Sequence, residues 1–355
     1  MYYNSNGTLI KIGEQLGDPG SAGTVFLNAN DKSKAIKLFH PEYLQKEITL
    51  VSRIEKFYKL EQIADFDLNY GTIKKSIGSW PKDIVKDRNG NIVGYIMHTV
   101  NNGIDLSHII FAYDSKRAFW GFLKEDENKY ELWYKTFFYD SDRLRNRFIL
   151  SYSLANSFDK IYNIKSKQGA PIQLDICNFD IKPLNILVSI ENENNTKKIV
   201  PFILDLDNLT LKNNSGKLGP THPQYTPEYM APEGPQDKHY DYFSIAVIFY
   251  QLIFCIHPFN VRGGTRFTDG NTPEFYVKNK CFAWGRNRKF LTMETQNDFR
   301  HNNFKQISPG LQKLFIRAFD SDFPSNRPSM AEWTKEFKLF LSDKKIEFNT
   351  IFNFM

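Results

Sequence analysis

Over the first hundred residues, apolar positions come in short runs cut by polar turns. "GTVFLNA" (23–29) and "SKAIKLF" (33–39), with "NDKSK" between their apolar parts, predict a β-hairpin. "DIVKDRNGNIVGYIM" (83–97) predicts a second, because Asn89-Gly90 supplies the residues a tight turn with positive φ needs. Between them, "EYLQKEITLVSRIEKFYKL" (42–60) sets Leu44, Ile48, Val51 and Ile54 at helical spacing. After Met97 the period changes. "DRLRNRFILSYSLANSFDKIY" (142–162) lines Leu144, Phe148, Tyr152, Ala155, Phe158 and Tyr162 along one helical face. Phe243 to Ile256 is a nearly all-apolar helix, and "LQKLFIRAF" and "MAEWTKEFKLFL" predict two amphipathic helices near the end. The pattern therefore divides into a strand-rich part over 1–98 and a larger helical part over 99–355, joined near 98–102, with no internal repeat. The aromatic-rich tract from Phe119 to Tyr139 reads as a packing cluster or a docking surface.

Composition narrows the class. With 355 residues, 41% hydrophobic and 15% aromatic, the chain has the material for a large core and is not a disordered one. A net charge of +6 without a basic block gives no footprint for nucleic acid. Cys177, Cys255 and Cys281 lack metal-type spacing and suit reduced, structural thiols. The start lacks the pattern of a secretory leader. The run from Phe243 to Phe259 is interrupted by Ser244, Gln251 and His257 and falls short of the ~20 residues a membrane span needs. The expectation is a cytoplasmic protein, or one delivered into a host cytoplasm, without a membrane span; oligomeric state is not encoded in any heptad run.

Five places carry candidate chemistry. In "LGDPGSAGTVF", Gly20 and Gly23 flank a tight turn where backbone N–H groups could meet phosphate oxygens, although a plain glycine-rich hairpin gives the same pattern. Lys37 alternates with Ile36 and Leu38, so it faces either a cleft or solvent. Glu47 is the preferred ion-pair partner for Lys37, with Glu55 the other choice, because apolar residues at 48, 50 and 51 would anchor Glu47 inward. "NFDIKPLNIL" (178–187) sets Asp180, Lys182 and Asn185 at short intervals in an apolar frame, as a catalytic loop or a polar turn would. "PFILDLDNLTL" puts Asp205 at the end of a buried strand, where a carboxylate must be paired or bind a metal. Together, Asp205 and Asn185 offer hard oxygen donors suited to Mg²⁺.

In order, the glycine loop, Lys37, Glu47, Asp180/Lys182/Asn185, Asp205 and "YTPEYMAPE" (225–233), followed by "DYFSIAVIFYQLI" and "NRPSMAEW", resemble the protein kinase superfamily from about Ile12 to Leu341. "WPKDIVKDRNGNIVGYIM" and "LFIRAFDSDFPSNRPSMAEW" look like a branch of bacterial and phage-encoded kinases whose metal motif reads Asp-x-Asp. The resemblance implies an α+β, bilobal fold: a small antiparallel-sheet lobe and a mainly helical lobe, with ATP between them. Met97 would back the pocket. The backbone of His98 and Val100 would bond the adenine, and Val25, Ala35 and Leu187 would sandwich it. Lys37, fixed by Glu47, would hold the α- and β-phosphates, and Asn185 and Asp205 would hold Mg²⁺, or Mn²⁺ in its place. Asp180 would orient the acceptor hydroxyl, Lys182 would stabilise the moving phosphate, and Thr226 would bridge the two in the Ser/Thr-type arrangement. Glu233 would pair with Arg327, and Asp241 would brace the catalytic loop.

The implied activity is transfer of the ATP γ-phosphate to serine or threonine of a protein substrate, the chain itself included. Three departures qualify this. Asp18 takes the place of the first loop glycine, with Gly17 one place early, and Ala22 replaces the usual aromatic at the loop tip. Asn178-Phe179 stand where the family has His-Arg, which predicts activity independent of loop phosphorylation through that arginine. Asp205-Leu206-Asp207 replaces Asp-Phe-Gly, and Asp207 reads as a capping residue or an addition to the metal site. The alternatives are a nucleotide-binding pseudokinase scaffold and a small-molecule kinase of the aminoglycoside or choline type, which generally lacks the Lys-Pro pair and the "APE" segment.

Overall fold

Short strands build the first part of the chain. Their ranges are β1 (Tyr2–Tyr3), β2 (Leu9–Ile10), β3 (Ile12–Gln15), β4 (Gly23–Asn28), β5 (Lys34–Phe39), β6 (Asp67–Tyr70), β7 (Ile73–Ser76), β8 (Asp83–Lys86) and β9 (Ile92–His98). Among the described residues of the computed structural model, seven of these form one sheet in the order β2-β1-β8-β9-β5-β4-β3, antiparallel at every step. The described residues are 1–100, 103–111, 135–178, 180–194, 196–213, 216–223, 225–348 and 351–352. The predicted aromatic tract lies outside them except for a π-helical turn at Lys135–Tyr139.

Both predicted hairpins are present. β4 pairs with β5 with Val25 opposite Lys37, and β8 pairs with β9 across a turn in which Gly90 adopts φ +85°. The Asp87 side chain closes that turn by accepting from the backbone N–H of Asn89 and Asn91 at 2.8 and 2.9 Å.

The predicted single helix over 42–60 is two helices, α1 (Pro41–Lys46) and α2 (Leu50–Ile63), with Glu47 at the break. The break resets the helical phase. Leu50, Ile54, Phe57 and Leu60 become the buried stripe, while Ile48 is 78% exposed and Val51 38%. Leu50, Ile54, Ala35, Phe39, Tyr95 and Met97 then share one apolar cluster.

The chain divides into two compact units: 1–103 with 160–178 and 202–224, and 104–159 with 179–201 and 225–355. The first is therefore assembled from three separate stretches. Besides the large sheet it holds β11 (Asp175–Cys177) paired with β14 (Thr210–Asn213), which pairs with β15 (Gly216–Leu218). The remaining strands, β10 (Ile104–Asp105), β12 (Ile186–Glu193) and β13 (Thr196–Ile203), form a sheet in that order.

The second unit is mainly helical. It contains α3 (Leu106–Phe111), most of α4 (Arg143–Tyr162), α5 (Lys238–Phe254), α6 (Pro273–Lys278), α7 (Met293–Asn297), α8 (Phe299–Asn302), α9 (Pro309–Asp320) and α10 (Met330–Ser342). Every residue of α5 from Tyr240 to Phe254 is buried, as its unbroken apolar run requires. Around it, Phe249 meets Trp333 and Tyr250 meets Phe315 edge to face, with centroids 5.2 and 5.4 Å apart. Ser329 and Glu332 form a reciprocal capping box that starts α10. All three cysteines are buried, and none is joined in a disulfide among the described residues. No helix among the described residues is long and apolar enough to cross a membrane.

Candidate active site

The first unit gathers a set of charges around Lys37. Strand alternation turns this side chain inward from β5, leaving it 6% exposed. Its Nζ lies 3.0 Å from Asp205 Oδ1 and 2.9 and 3.1 Å from the two oxygens of Asp207. Burial alone would pull the ammonium pKa down; the carboxylates of Asp205 and Asp207 more than reverse that and hold it well above the ordinary lysine range. Tyr95, opposite Lys37 in the β5–β9 register, donates its hydroxyl to Asp207 Oδ1 at 3.0 Å. The main-chain oxygen of Asp207 accepts from the guanidinium of Arg53, a fully buried residue of α2.

Glu47 does not pair with Lys37, contrary to the sequence expectation. Its carboxylate accepts the backbone N–H groups of Thr221 (2.8 Å) and His222 (3.0 Å) and lies 3.4 Å from Arg53. The reason is geometric: the chain leaves the helix at Glu47, and the acid turns to satisfy amides of the 219–222 stretch. The neighbouring Thr49 hydroxyl donates to Gly219 in the same way. Asp207 likewise caps no loop; it is the fully buried partner of the lysine. Leu206 is fully buried beside it, where a Cβ on Gly78 would lie 2.5 Å from its Cδ1.

Asp205 adopts a left-handed backbone (φ 53°, ψ 34°), and residues 206–208 follow as a tight helical turn. Asp tolerates this region better than most side chains, and such strained positions concentrate where a site over-determines the backbone. The turn brings both acids of the Asp-x-Asp motif onto one ammonium.

The glycine loop is a hydrogen-bonded turn. Gly20 N–H already donates to the Gly23 carbonyl at 3.0 Å, so it is engaged within the turn. Gly23 is required by packing: a Cβ there would stand 2.2 Å from the Leu38 carbonyl oxygen of β5. Val25, Ala35 and Met97 meet in one apolar cluster. His98 ends β9, its imidazole pKa lowered by partial burial, and Val100 follows half-buried. Leu187 belongs to the second unit, on β12 opposite Asp105.

In the second unit, Asp180 is a hub. Its Oδ1 accepts from the Thr226 hydroxyl at 2.7 Å and its Oδ2 from Lys182 Nζ at 2.8 Å. The Asn185 amide nitrogen donates to the Asp180 carbonyl at 3.1 Å, which leaves the amide oxygen as the group presented to a ligand. Pro183–Asn185 form a short 3₁₀ turn that sets this spacing. A cavity of about 420 Å³ opens beside Lys182 and Thr226, walled by Ile110, Leu184, Tyr229 and Ile256. Arg327 grips both oxygens of Glu233, one at 2.8 Å, and donates to the His239 carbonyl at 2.9 Å. Asp241 is fully buried in the first turn of α5.

Reading the residues missed Tyr95, Arg53 and the 221–222 amides. Arg53 had a signal: it is a charged residue beside Ile54 on the stripe marked by Leu50 and Phe57. Tyr95 could have been inferred from the hairpin register, which sets it across from Lys37.

Residues 173–337 match the family model of the protein kinase domain. The serine/threonine-protein kinase pkn3 of Myxococcus xanthus is 30% identical over 161 residues, 43% of this chain. The chain spans 25% of the length of that relative. Among solved structures, the PknI kinase domain of Mycobacterium tuberculosis aligns over 94% of this chain and 96% of its own, at 13% identity and a TM-score of 0.45. A second structure of that domain aligns over 93% and 95%, also at 13% and 0.45.

Proposed function

We propose that this protein is an ATP-dependent serine/threonine protein kinase. The observation that carries the reading is the Asp180 hub: one carboxylate holding a threonine hydroxyl on one oxygen and a lysine on the other, with Asn185 tied to the same loop. In this reading Asp180 accepts and orients the substrate hydroxyl for in-line attack, and Lys182 balances charge on the phosphoryl group in flight. Lys37 binds the α- and β-phosphates; Val25, Ala35, Met97 and Leu187 receive the adenine, and the backbone of His98 and Val100 bonds its edge. Gly20 contributes only after its turn bond to Gly23 opens.

The donor set fits magnesium. Asp205, 42% exposed, supplies a carboxylate and Asn185 an amide oxygen. No group of three or more His, Cys, Asp or Glu side chains among the described residues forms a closed metal cage. A hard cation that keeps waters and shares substrate phosphates suits so sparse a set. When bound, it supplies charge neutralisation on the phosphates.

Incubation with γ-labelled ATP, Mg²⁺ and a generic protein acceptor tests the reading. Label is expected on serine or threonine of the acceptor or of the chain itself. Asp180→Asn and Asp205→Asn are each expected to cut transfer about 10³-fold, the order lost with a general base or a phosphate-charge stabiliser. No transfer by the unaltered protein, or transfer unaffected by Asp180→Asn, refutes it. With Phe179 in place of the family's loop-anchoring arginine, alanine at each of Thr210, Ser215 (outside the described residues) and Thr221 is expected to leave transfer in place. Thr210 is 3% exposed, a poor target for modification in the folded protein.

A further inference from the structure

We propose that Asp207, the second acid of the Asp-x-Asp motif, is the positioning residue for Lys37, and that Glu47 serves instead to hold the 221–222 backbone. The inference rests on the kinase reading, in which Lys37 is the phosphate-binding lysine.

Three observations lead to it. First, a buried ammonium needs a permanent counter-charge, because an unpaired one is too costly to keep. Of the two acids on Lys37, Asp205 is 42% exposed and open to a ligand, whereas Asp207 is fully buried. Asp207 therefore remains with the lysine whatever Asp205 does. Second, Asp207 is itself fixed from two sides. Tyr95 donates to its carboxylate, and Arg53 to its main-chain oxygen. That leaves its two oxygens in a fixed fork, 2.9 and 3.1 Å from Nζ. Third, Glu47 is occupied. Its Oε2 accepts from Thr221 and Arg53 and its Oε1 from His222. To reach Lys37 it would have to abandon two charge-assisted backbone bonds, each stronger than a neutral one.

The left-handed backbone at Asp205 is what makes this arrangement accessible to residues two apart in sequence. A Phe-Gly pair after the first acid would offer no side chain at this point. The motif variant and the unpaired Glu47–Lys37 geometry thus have one explanation: the lysine's anchor has moved from the helix to the metal-motif turn.

The test compares Asp207→Asn with Glu47→Gln, measuring the KM for ATP and kcat separately, with thermal denaturation as the folding control. Asp207→Asn leaves Lys37 one carboxylate, Asp205, so the charge is not stranded. The expected result is a rise in the KM for ATP of about tenfold or more, the effect of a lost charged hydrogen bond. Glu47→Gln is expected to lower kcat through the loosened 221–222 segment, with the KM for ATP changing less than about threefold. Tyr95→Phe, which removes only the support of Asp207, is expected to raise the KM for ATP in the same direction by a smaller factor. It carries the test if Asp207→Asn loses its folding transition.

A KM shift for Glu47→Gln equal to or larger than that of Asp207→Asn (of Tyr95→Phe in the fallback case) overturns the proposal. So does an Asp207→Asn protein that melts earlier but keeps its KM, which marks a purely structural acid. Failure of the kinase reading is distinguishable, because the unaltered protein would then transfer no phosphate to a protein, whether or not it binds ATP.

Discussion

Lys37 and Lys182 both face aspartate at hydrogen-bond distance, yet they are different devices. Lys37 is 6% exposed and shares two carboxylates, one of them wholly buried. Lys182 is 24% exposed, and its partner Asp180 spends its other oxygen on Thr226. Coulomb attraction over 3 Å is several-fold stronger in the drier setting, and so is the penalty for removing either partner. The buried pair is therefore an anchor. The half-open pair is a set of exchangeable contacts.

Removing each lysine breaks the comparison most directly. Lys37→Met strands Asp207 in the core and is expected to cost about 3–5 kcal/mol of unfolding free energy. Lys182→Met is expected to cost less than about 1 kcal/mol, while transfer activity still falls. Denaturant titration of both variants checks this, and equal destabilisation would show that burial is not what separates them.

Acidification sharpens the contrast between buried and open groups. His301 is fully buried, and its pKa is pushed down to about 4, chiefly by burial. Its Nε2 meets the Asn260 carbonyl, which only accepts, so Nε2 carries the proton and Nδ1 accepts from Tyr250. The native protein therefore binds fewer protons than the unfolded chain, whose histidine has a pKa of about 6.5. The stabilisation is complete above pH ~6.5 and is lost as pH falls toward 4, about 3 kcal/mol in all. His301→Asn should flatten that part of a stability-versus-pH curve. An unchanged slope would assign the acid sensitivity elsewhere.

The smallest effect is a local control. Ser329→Ala removes half of the capping box on α10 and should cost about 1 kcal/mol, measured by thermal denaturation, with the KM for ATP unaltered.

Much of the fold is legible along the chain because its signals are local. The hairpin at 83–97 follows from short apolar runs on either side of Asn89-Gly90, and α5 from one long, nearly all-apolar stretch. The alternation of Lys37 with Ile36 and Leu38 leaves it facing a cleft or solvent; the structure buries it. Its partner is not legible either. The pattern over 42–60 contains no sign of the break at Glu47, and without it Ile48 and Val51 seem to belong to the buried stripe. Which acid meets Lys37 depends on a backbone turn at Asp205 that no propensity announces, and on a pairing across 170 positions. The small size of Gly23 also answers to the carbonyl of Leu38 on the neighbouring strand, a contact that the local pattern does not announce. Sequence reading ranks residue types well here, and contact partners poorly.

The three-part make-up of the first unit sets an order of events during synthesis. Lys37 emerges from the ribosome long before residues 202–224 exist, and at roughly 5–20 residues per second the wait for position 207 is on the order of 10–30 s. Through that interval the nascent sheet carries an ammonium with no counter-ion of its own to settle on. A release of the chain before the 202–224 stretch, by nonsense mutation or nicking, should leave a fragment that chaperones and proteases treat as unfinished.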